Sequence, residues 1–206
     1  MDLFWDFDGT LFDTYPNMVT SFRQALKEVG HADVTEKTVY QVMRQASLGA
    51  AFKKFVPGGD DFKLRQAYRH YEKQRLASTQ PFAGTLAICQ TNVNRHGRNF
   101  LLTHRNAQAR KLLDEHGFTP LFTGYVTSDN HFPRKPDPAS LNYLIDQFRV
   151  NKKAAFMIGD RNLDILAAHR AGIKGVLFDP DATIQVTSSP DLQVTNFHDL
   201  YKLLWH

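Results

Sequence analysis

Two acids one residue apart, Asp6 and Asp8, follow the apolar run Leu3-Phe4-Trp5 and lead into Gly9-Thr10-Leu11. Carboxylates held that close repel, and they become tolerable if a cation joins them or one keeps a proton. If the run is a strand, Phe7 points away from its neighbours, so Asp6 and Asp8 start on the same face. Gly9 permits a turn and a close approach of the backbone to an anion. Alone, the segment also reads as a strand-end turn in which Asp8-Gly9 merely reverses the chain.

Three fragments downstream carry compatible chemistry. Leu101-Leu102-Thr103-His104-Arg105 ends a second apolar run, and a threonine hydroxyl beside helix-start amides is a suitable donor set for phosphate oxygens. By itself Thr103 reads as a helix cap. In Arg134-Lys135-Pro136-Asp137-Pro138, Pro136 biases Lys135 away from helical geometry and leaves it on a loop, where a lone lysine is ordinarily a solvated charge. Met157-Ile158-Gly159-Asp160 ends another apolar run, with Asp164 four residues on. At a helix start that spacing brings both acids toward one face, and oxygen ligands in this number suit Mg²⁺. The plain alternative is a helix N-terminus decorated with favourable acids. All four fragments fall at the ends of expected strands, in an order that supplies nucleophile, phosphate donor, counter-ion and metal ligand.

The elements that must position them are short buried runs at Leu3 to Phe7, Phe100 to Thr103, Ala154 to Gly159 and Val176 to Phe178, with a weaker one near Leu121 to Thr127. Helical patterns lie between, at Asn106 to His116, Pro138 to Phe148 and Leu163 to Ala171. Alternation of this kind predicts an α/β core with a mostly parallel sheet. From Tyr15 to Pro81 the rhythm breaks. Helical patterns follow one another at Pro16 to Val29, Glu36 to Arg44, Leu48 to Phe55 and Phe62 to Leu76, with Asp60 and Asp61 as N-cap candidates and Pro57-Gly58-Gly59 as punctuation. The expectation is a core of residues 1–14 and 82–206 with an α-helical insertion over 15–81, hinged near Asp13 to Pro16 and Pro81 to Gly84.

The chain has 206 residues, 42% of them hydrophobic, with 25 basic and 21 acidic side chains for a net charge of +4. That surplus is modest. Aromatics such as Tyr68, Tyr71 and Trp205 are not interleaved with a basic stripe, so nucleic acid is not an expected partner. The apolar runs are too short for a membrane helix. One cysteine, Cys89, allows neither an internal disulfide nor a cysteine zinc site, and Met1-Asp2 opens without a basic, apolar leader, so a cytoplasmic setting is expected. Cys89 fits an apolar spacing with Leu86 and Val93, the pattern of a buried thiol.

Asp6 to Leu11, Thr103, Lys135 and Gly159-Asp160 with Asp164 together resemble the four motifs of the haloacid dehalogenase-like hydrolase superfamily. The helical insertion after the first motif is similar to the cap of the subgroup containing phosphoglycolate phosphatases and β-phosphoglucomutase. The resemblance implies a Rossmann-like core and Mg²⁺-dependent phosphoryl transfer through an aspartyl-phosphate on a small phosphorylated metabolite. On that basis Asp6 is the nucleophile and Asp8 the acid and base. Thr103, Lys135 and amides near Gly9 and Thr10 hold the phosphoryl group. Asp6, the carbonyl of Asp8, Asp160 and Asp164, directly or through water, hold the metal. Asp8 favours a phosphatase over a dehalogenase, since a halide leaving group needs no acid. A phosphomutase of the β-phosphoglucomutase type and a non-catalytic binding or regulatory protein are the alternatives. Arg44, Ser47, Lys53, Lys54 and Tyr15 could meet a substrate, although solvation or packing explains each one better, and His104 and Arg105 follow the threonine motif closely enough to line the cleft.

Overall fold

In the computed structural model, which describes residues 1–31, 33–56 and 61–206, the chain forms two compact units. One contains Met1–Phe12 and Pro81–His206, and the other contains Asp13–Gln80. Pro57, Gly58, Gly59 and Asp60, read above as turn and cap residues, lie outside the described residues.

The first unit is a parallel sheet of strands β1 (Asp2–Trp5), β2 (Arg98–Leu102), β3 (Phe122–Val126), β4 (Ala155–Gly159), β5 (Lys174–Phe178) and β6 (Leu192–Val194), in the order β3-β2-β1-β4-β5-β6. This is the expected Rossmann-like α/β architecture. β1 is buried along its whole length, as a central parallel strand covered on both faces must be. Its alternating side chains serve two cores. Phe4 stacks on Phe100 at 4.8 Å and joins a cluster with Leu141 and Leu144 of α7 (Ala139–Gln147) and Ala167 and Ala168 of α8 (Asn162–Ala171). Trp5 faces the other way, its ring 5.9 Å from Phe197 of α9 (Phe197–Trp205), which packs with α5 (Thr85–Asn94). Helix α6 (Gln108–Glu115) follows β2.

Two polar devices fix β1 against β2. At the amino end, Arg98 grips the Asp2 carboxylate with Nε and Nη2, both at 2.8 Å, and gives Nη1 to the Phe148 carbonyl. On the α5 side, fully buried Asn99 accepts from Trp5 Nε1 at 3.2 Å and Asn92 Nδ2 at 3.2 Å, and donates to the carbonyls of Cys89 and Leu121, each at 3.0 Å. One amide thus ties two strands, a helix and the approach to β3. β6 and α9 were not anticipated from the sequence.

The helical unit contains α1 (Tyr15–Glu28), α2 (Glu36–Gln45), α3 (Leu48–Phe55) and α4 (Phe62–Arg75). Its core gathers Phe22, Phe52 and Tyr68, with centroids 5.1 to 5.9 Å apart. Thr35 and Ser47 cap α2 and α3. Asp61 stands at the N-cap of α4 but makes no capping bond, pairing with Arg65 at 2.6 Å. Arg44 is only 1% exposed, its Nε on the Tyr40 hydroxyl and its guanidinium 5.4 Å from the Tyr15 ring centroid. Lys53 and Lys54 are solvated.

Replacing Asn99 by Leu deprives a buried indole N–H and two carbonyls of their partner, and each orphaned group costs about 1–3 kcal/mol. Urea denaturation of Asn99→Leu should show a loss of roughly 2–5 kcal/mol; a loss below about 1 kcal/mol would contradict this reading of the network.

Candidate active site

β1 lies where the strand order changes direction, and in open parallel sheets the crevice beyond the strand ends at that point receives ligands. The Asp6 N–H still bonds to the Ile158 carbonyl of β4 at 2.9 Å, after which the chain folds into a tight loop. Gly9 adopts φ 73°, in the region that favours glycine. Its N–H reaches the Phe12 carbonyl at 2.9 Å, while the Phe12 and Thr10 N–H groups return to the Phe7 carbonyl at 3.1 and 3.3 Å. Stacking of Phe7 on Phe12 at 4.7 Å closes the loop.

That loop differs from the sequence reading in the use of its amides. The amides of Gly9 and Thr10, expected near phosphate, are occupied in closing the turn; the N–H groups of Phe7 and Asp8 donate to no protein acceptor among the described residues. The side chains of Asp6 and Asp8 meet different cationic groups, Lys135 and Arg105. The strand ends at Trp5, before the alternation that would have aligned them.

Asp6 is 2% exposed and meets Lys135, whose Nζ lies 2.6 Å from Asp6 Oδ1, 2.5 Å from Asp164 Oδ1 and 3.4 Å from the Leu102 carbonyl. A solvated lysine is not what the fold makes of this position: the Lys135 side chain is fully buried. Asp160, also buried, completes a group in which Asp6, Asp160 and Asp164 each place one carboxylate oxygen within 4.8 Å of the others. Asp164 belongs to the first turn of α8, and its Oδ2 accepts the Arg161 N–H at 3.1 Å. Gly159 makes room for it. A Cβ there would fall 2.3 Å from Asp164 Cβ, inside any tolerable contact, so the strand must end in glycine for α8 to bring this acid in.

The electrostatics follow from burial. Desolvation, reinforced by Asp164 and Asp160 and opposed by Lys135, raises the Asp6 carboxyl to about 7. Burial also pulls Lys135 down, but Asp164 and Asp6 outweigh it and hold the ammonium above the usual lysine range. Three carboxylates face the buried Lys135 ammonium, with the Arg161 guanidinium 3.6 Å from Asp160, and Asp6 Oδ2 is buried without a hydrogen-bond partner among the described residues. A compact, oxygen-seeking divalent cation fits that oxygen and the acids around it.

Thr103 is 4% exposed at the end of β2 and caps no helix, since α6 begins at Gln108; its hydroxyl accepts the Arg105 N–H at 3.1 Å. Arg105 Nε in turn reaches Asp8 Oδ1 at 2.6 Å. His104 Nε2 accepts the Lys135 N–H at 3.2 Å, which fixes the lysine loop and requires a neutral ring. Burial first, and then Lys135, Arg134 and Arg161, depress this imidazole to about 2. Sequence reasoning had placed His104 and Arg105 near the cleft without assigning these partners.

The depressed imidazole has a consequence for stability. Above the ordinary histidine value near 6.5, folded and unfolded chains bind no proton here; below it only the unfolded chain does, so stability falls as the medium is acidified. From pH 7.5 to 5 the wild type should lose about 2 kcal/mol that His104→Gln keeps, measured by urea denaturation in chelator. Parallel pH curves for the two proteins would contradict the buried neutral imidazole.

Residues 3–188 match the haloacid dehalogenase-like hydrolase family. Among curated relatives, the phosphoglycolate phosphatase of Vibrio cholerae is 28% identical over 82% of this chain and 79% of its own length. A hydrolase of Streptococcus pneumoniae of solved structure is 30% identical, with a TM-score of 0.68 over 98% of this chain and 97% of that one. A hydrolase of Bacillus subtilis solved with bound magnesium shares the fold at 18% identity, with a TM-score of 0.71 over 98% and 97% of the two chains. With a match over nearly the whole chain and the strand-end acids gathered at the switch point, this protein belongs to the haloacid dehalogenase-like hydrolase family and is an enzyme.

Proposed function

We propose that the protein is a magnesium-dependent phosphatase that hydrolyses a small phosphomonoester through an aspartyl-phosphate on Asp6. The observation that carries this is the buried group of Asp6, Asp160 and Asp164 around Lys135, with one Asp6 oxygen left unpartnered. Asp6 and Asp160 would hold Mg²⁺ together with the Asp8 carbonyl. Asp164, whose oxygens already meet Lys135 and the Arg161 N–H, would support the ion directly or through water. When bound, the ion supplies positive charge that offsets repulsion between an anionic nucleophile and an anionic phosphate.

An Asp6 carboxylate oxygen attacks phosphorus, and the bond to the leaving oxygen breaks as Asp8 gives that oxygen its proton. Water then attacks the phosphoryl group, Asp8 takes a proton from it, and the bond from phosphorus to Asp6 breaks, releasing inorganic phosphate and restoring both acids. A carboxylate nucleophile suits the task because its phosphoanhydride hydrolyses far more readily than a phosphoester. Lys135 neutralises Asp6 and phosphoryl oxygens, Thr103 donates its hydroxyl, and the unengaged amides of Phe7 and Asp8 are placed in the same loop to do likewise. Gly9 and Thr10 act by shaping that loop.

These groups address phosphate and cation and leave the leaving group unspecified. We assign its selection to the helical insertion as a cap, and take phosphoglycolate, the substrate named for the Vibrio cholerae relative, as the first candidate. Nothing in the reading calls for nucleic acid or a membrane; no helix among the described residues is long and apolar enough to cross one. Burial raises the Cys89 thiol well above its ordinary range and leaves it inert, which suits a cytoplasmic enzyme.

Phosphate release across a panel of phosphorylated metabolites tests the proposal. Activity should require Mg²⁺, fall by at least about 10⁴-fold in Asp6→Asn, and demand more Mg²⁺ in Asp160→Asn. Turnover in chelator, or an active Asp6→Asn enzyme, would overturn it.

A further inference from the structure

Asp8 has a partner that the mechanism above does not use. Arg105 Nε lies 2.6 Å from Asp8 Oδ1, and the two side chains are 11% and 23% exposed. Each member is held on a backbone that cannot easily shift. Asp8 sits inside the closed loop, between the Phe7 carbonyl, which accepts from Phe12 and Thr10, and Gly9, which donates to Phe12. On the other side the Arg105 N–H is fixed on Thr103 Oγ1 at 3.1 Å, and the Arg105 carbonyl accepts the Ser128 N–H at 2.8 Å. The guanidinium also lies 5.9 Å from the Phe7 ring centroid. The short turn after β2 therefore carries two duties: Thr103 is offered to the phosphoryl group, and Arg105 is aimed at the acid of the neighbouring strand.

A pair at the rim of a site contributes little to stability, yet an aspartate with two free torsions can point its carboxyl in several directions, only one of which serves proton transfer. We propose that Arg105 is the positioning residue for Asp8, fixing the orientation in which that carboxyl exchanges a proton with the leaving oxygen and then with water. The assignment rests on the phosphatase reading, and in particular on Asp8 as the acid. The planar guanidinium matters here, because a directed N–H holds a carboxylate's plane where an ammonium supplies only a point charge.

The prediction separates positioning from mere scaffolding through the leaving group. An alkoxide, as from phosphoglycolate, needs a proton to depart; p-nitrophenolate does not. In Arg105→Ala, kcat/KM for phosphoglycolate, or for whichever alkyl phosphomonoester the wild type turns over best, should fall by about 10- to 100-fold with the inhibition constant for inorganic phosphate changed less than about threefold. kcat/KM for p-nitrophenyl phosphate, which ends at departure of the leaving group and so excludes the water step that also uses Asp8, should stay within about threefold. Asp8→Asn should show the same dependence, more strongly, and Arg105→Lys should lie nearer to Ala than to wild type on the alkyl substrate. If Arg105→Ala does not fold, Arg105→Lys carries the same comparison. Equal losses on both substrates in the Arg105 variants, beside a leaving-group-dependent Asp8→Asn, would overturn the role of Arg105 alone. Equal losses in Asp8→Asn as well would overturn the acid role of Asp8 and the Arg105 assignment with it.

Discussion

Three carboxylates delivered to one buried spot, with a single lysine between them, are the arrangement around which the first unit is organised. Charges taken out of water are tolerated only when paired: Lys135 meets Asp6 and Asp164, Arg161 lies 3.6 Å from Asp160, and one Asp6 oxygen is still buried without a hydrogen-bond partner among the described residues. Each acid comes from the carboxyl end of a central strand or from the helix start that follows it, so the sheet must hold β1 and β4 side by side for the group to exist. Burial raises Asp6, while Asp164 and Asp6 hold Lys135 as an ammonium against the same burial. The unpartnered Asp6 oxygen creates the demand for a cation that the proposed chemistry exploits.

Much of the surrounding architecture serves that convergence. Gly159 lets α8 start so close to β4 that Asp164 can turn inward, and the Arg161 N–H then fixes one of its oxygens. His104 fixes the Lys135 backbone from a different strand end. The Asn99 network and the Arg98 grip on Asp2 lie toward the other parts of the same strands, where they set β1 against β2 without entering the chemistry. Residues that stabilise the sheet and residues that act are thus largely separated along β1, and Asp6 is where one role gives way to the other.

The features legible in the sequence were those encoded locally. Buried apolar runs marked β1, β2, β4 and β5, and apolar periodicity placed the helices of the insertion within a residue or two of their ends, because 3.6-residue spacing is a property of consecutive residues. The acids were legible as strand-end acids. Strand β6 was not, since Leu192–Val194 is three residues long with one position exposed. What could not be read was partner choice. Lys135 looked like a loop lysine because its burial is conferred by acids that lie 129 and 29 positions away in the chain. The pairing of Arg105 with Asp8 spans 97 positions, and the early end of β1, which separates Asp8 from Asp6, depends on the turn closed by Phe12. Motif resemblance supplied roles for the acids but had no term for the arginine.

The central claim is that Asp6 takes the phosphoryl group. The most direct measurement is rapid acid quenching of the enzyme during turnover of a phosphomonoester with Mg²⁺, followed by peptide mass spectrometry. The account predicts one acid-stable, base-labile phosphoryl group on the peptide containing Asp6, formed before phosphate is released and absent from Asp6→Asn. Turnover that proceeds with no phosphorylated enzyme at any quench time, or with the label on another residue, would contradict it.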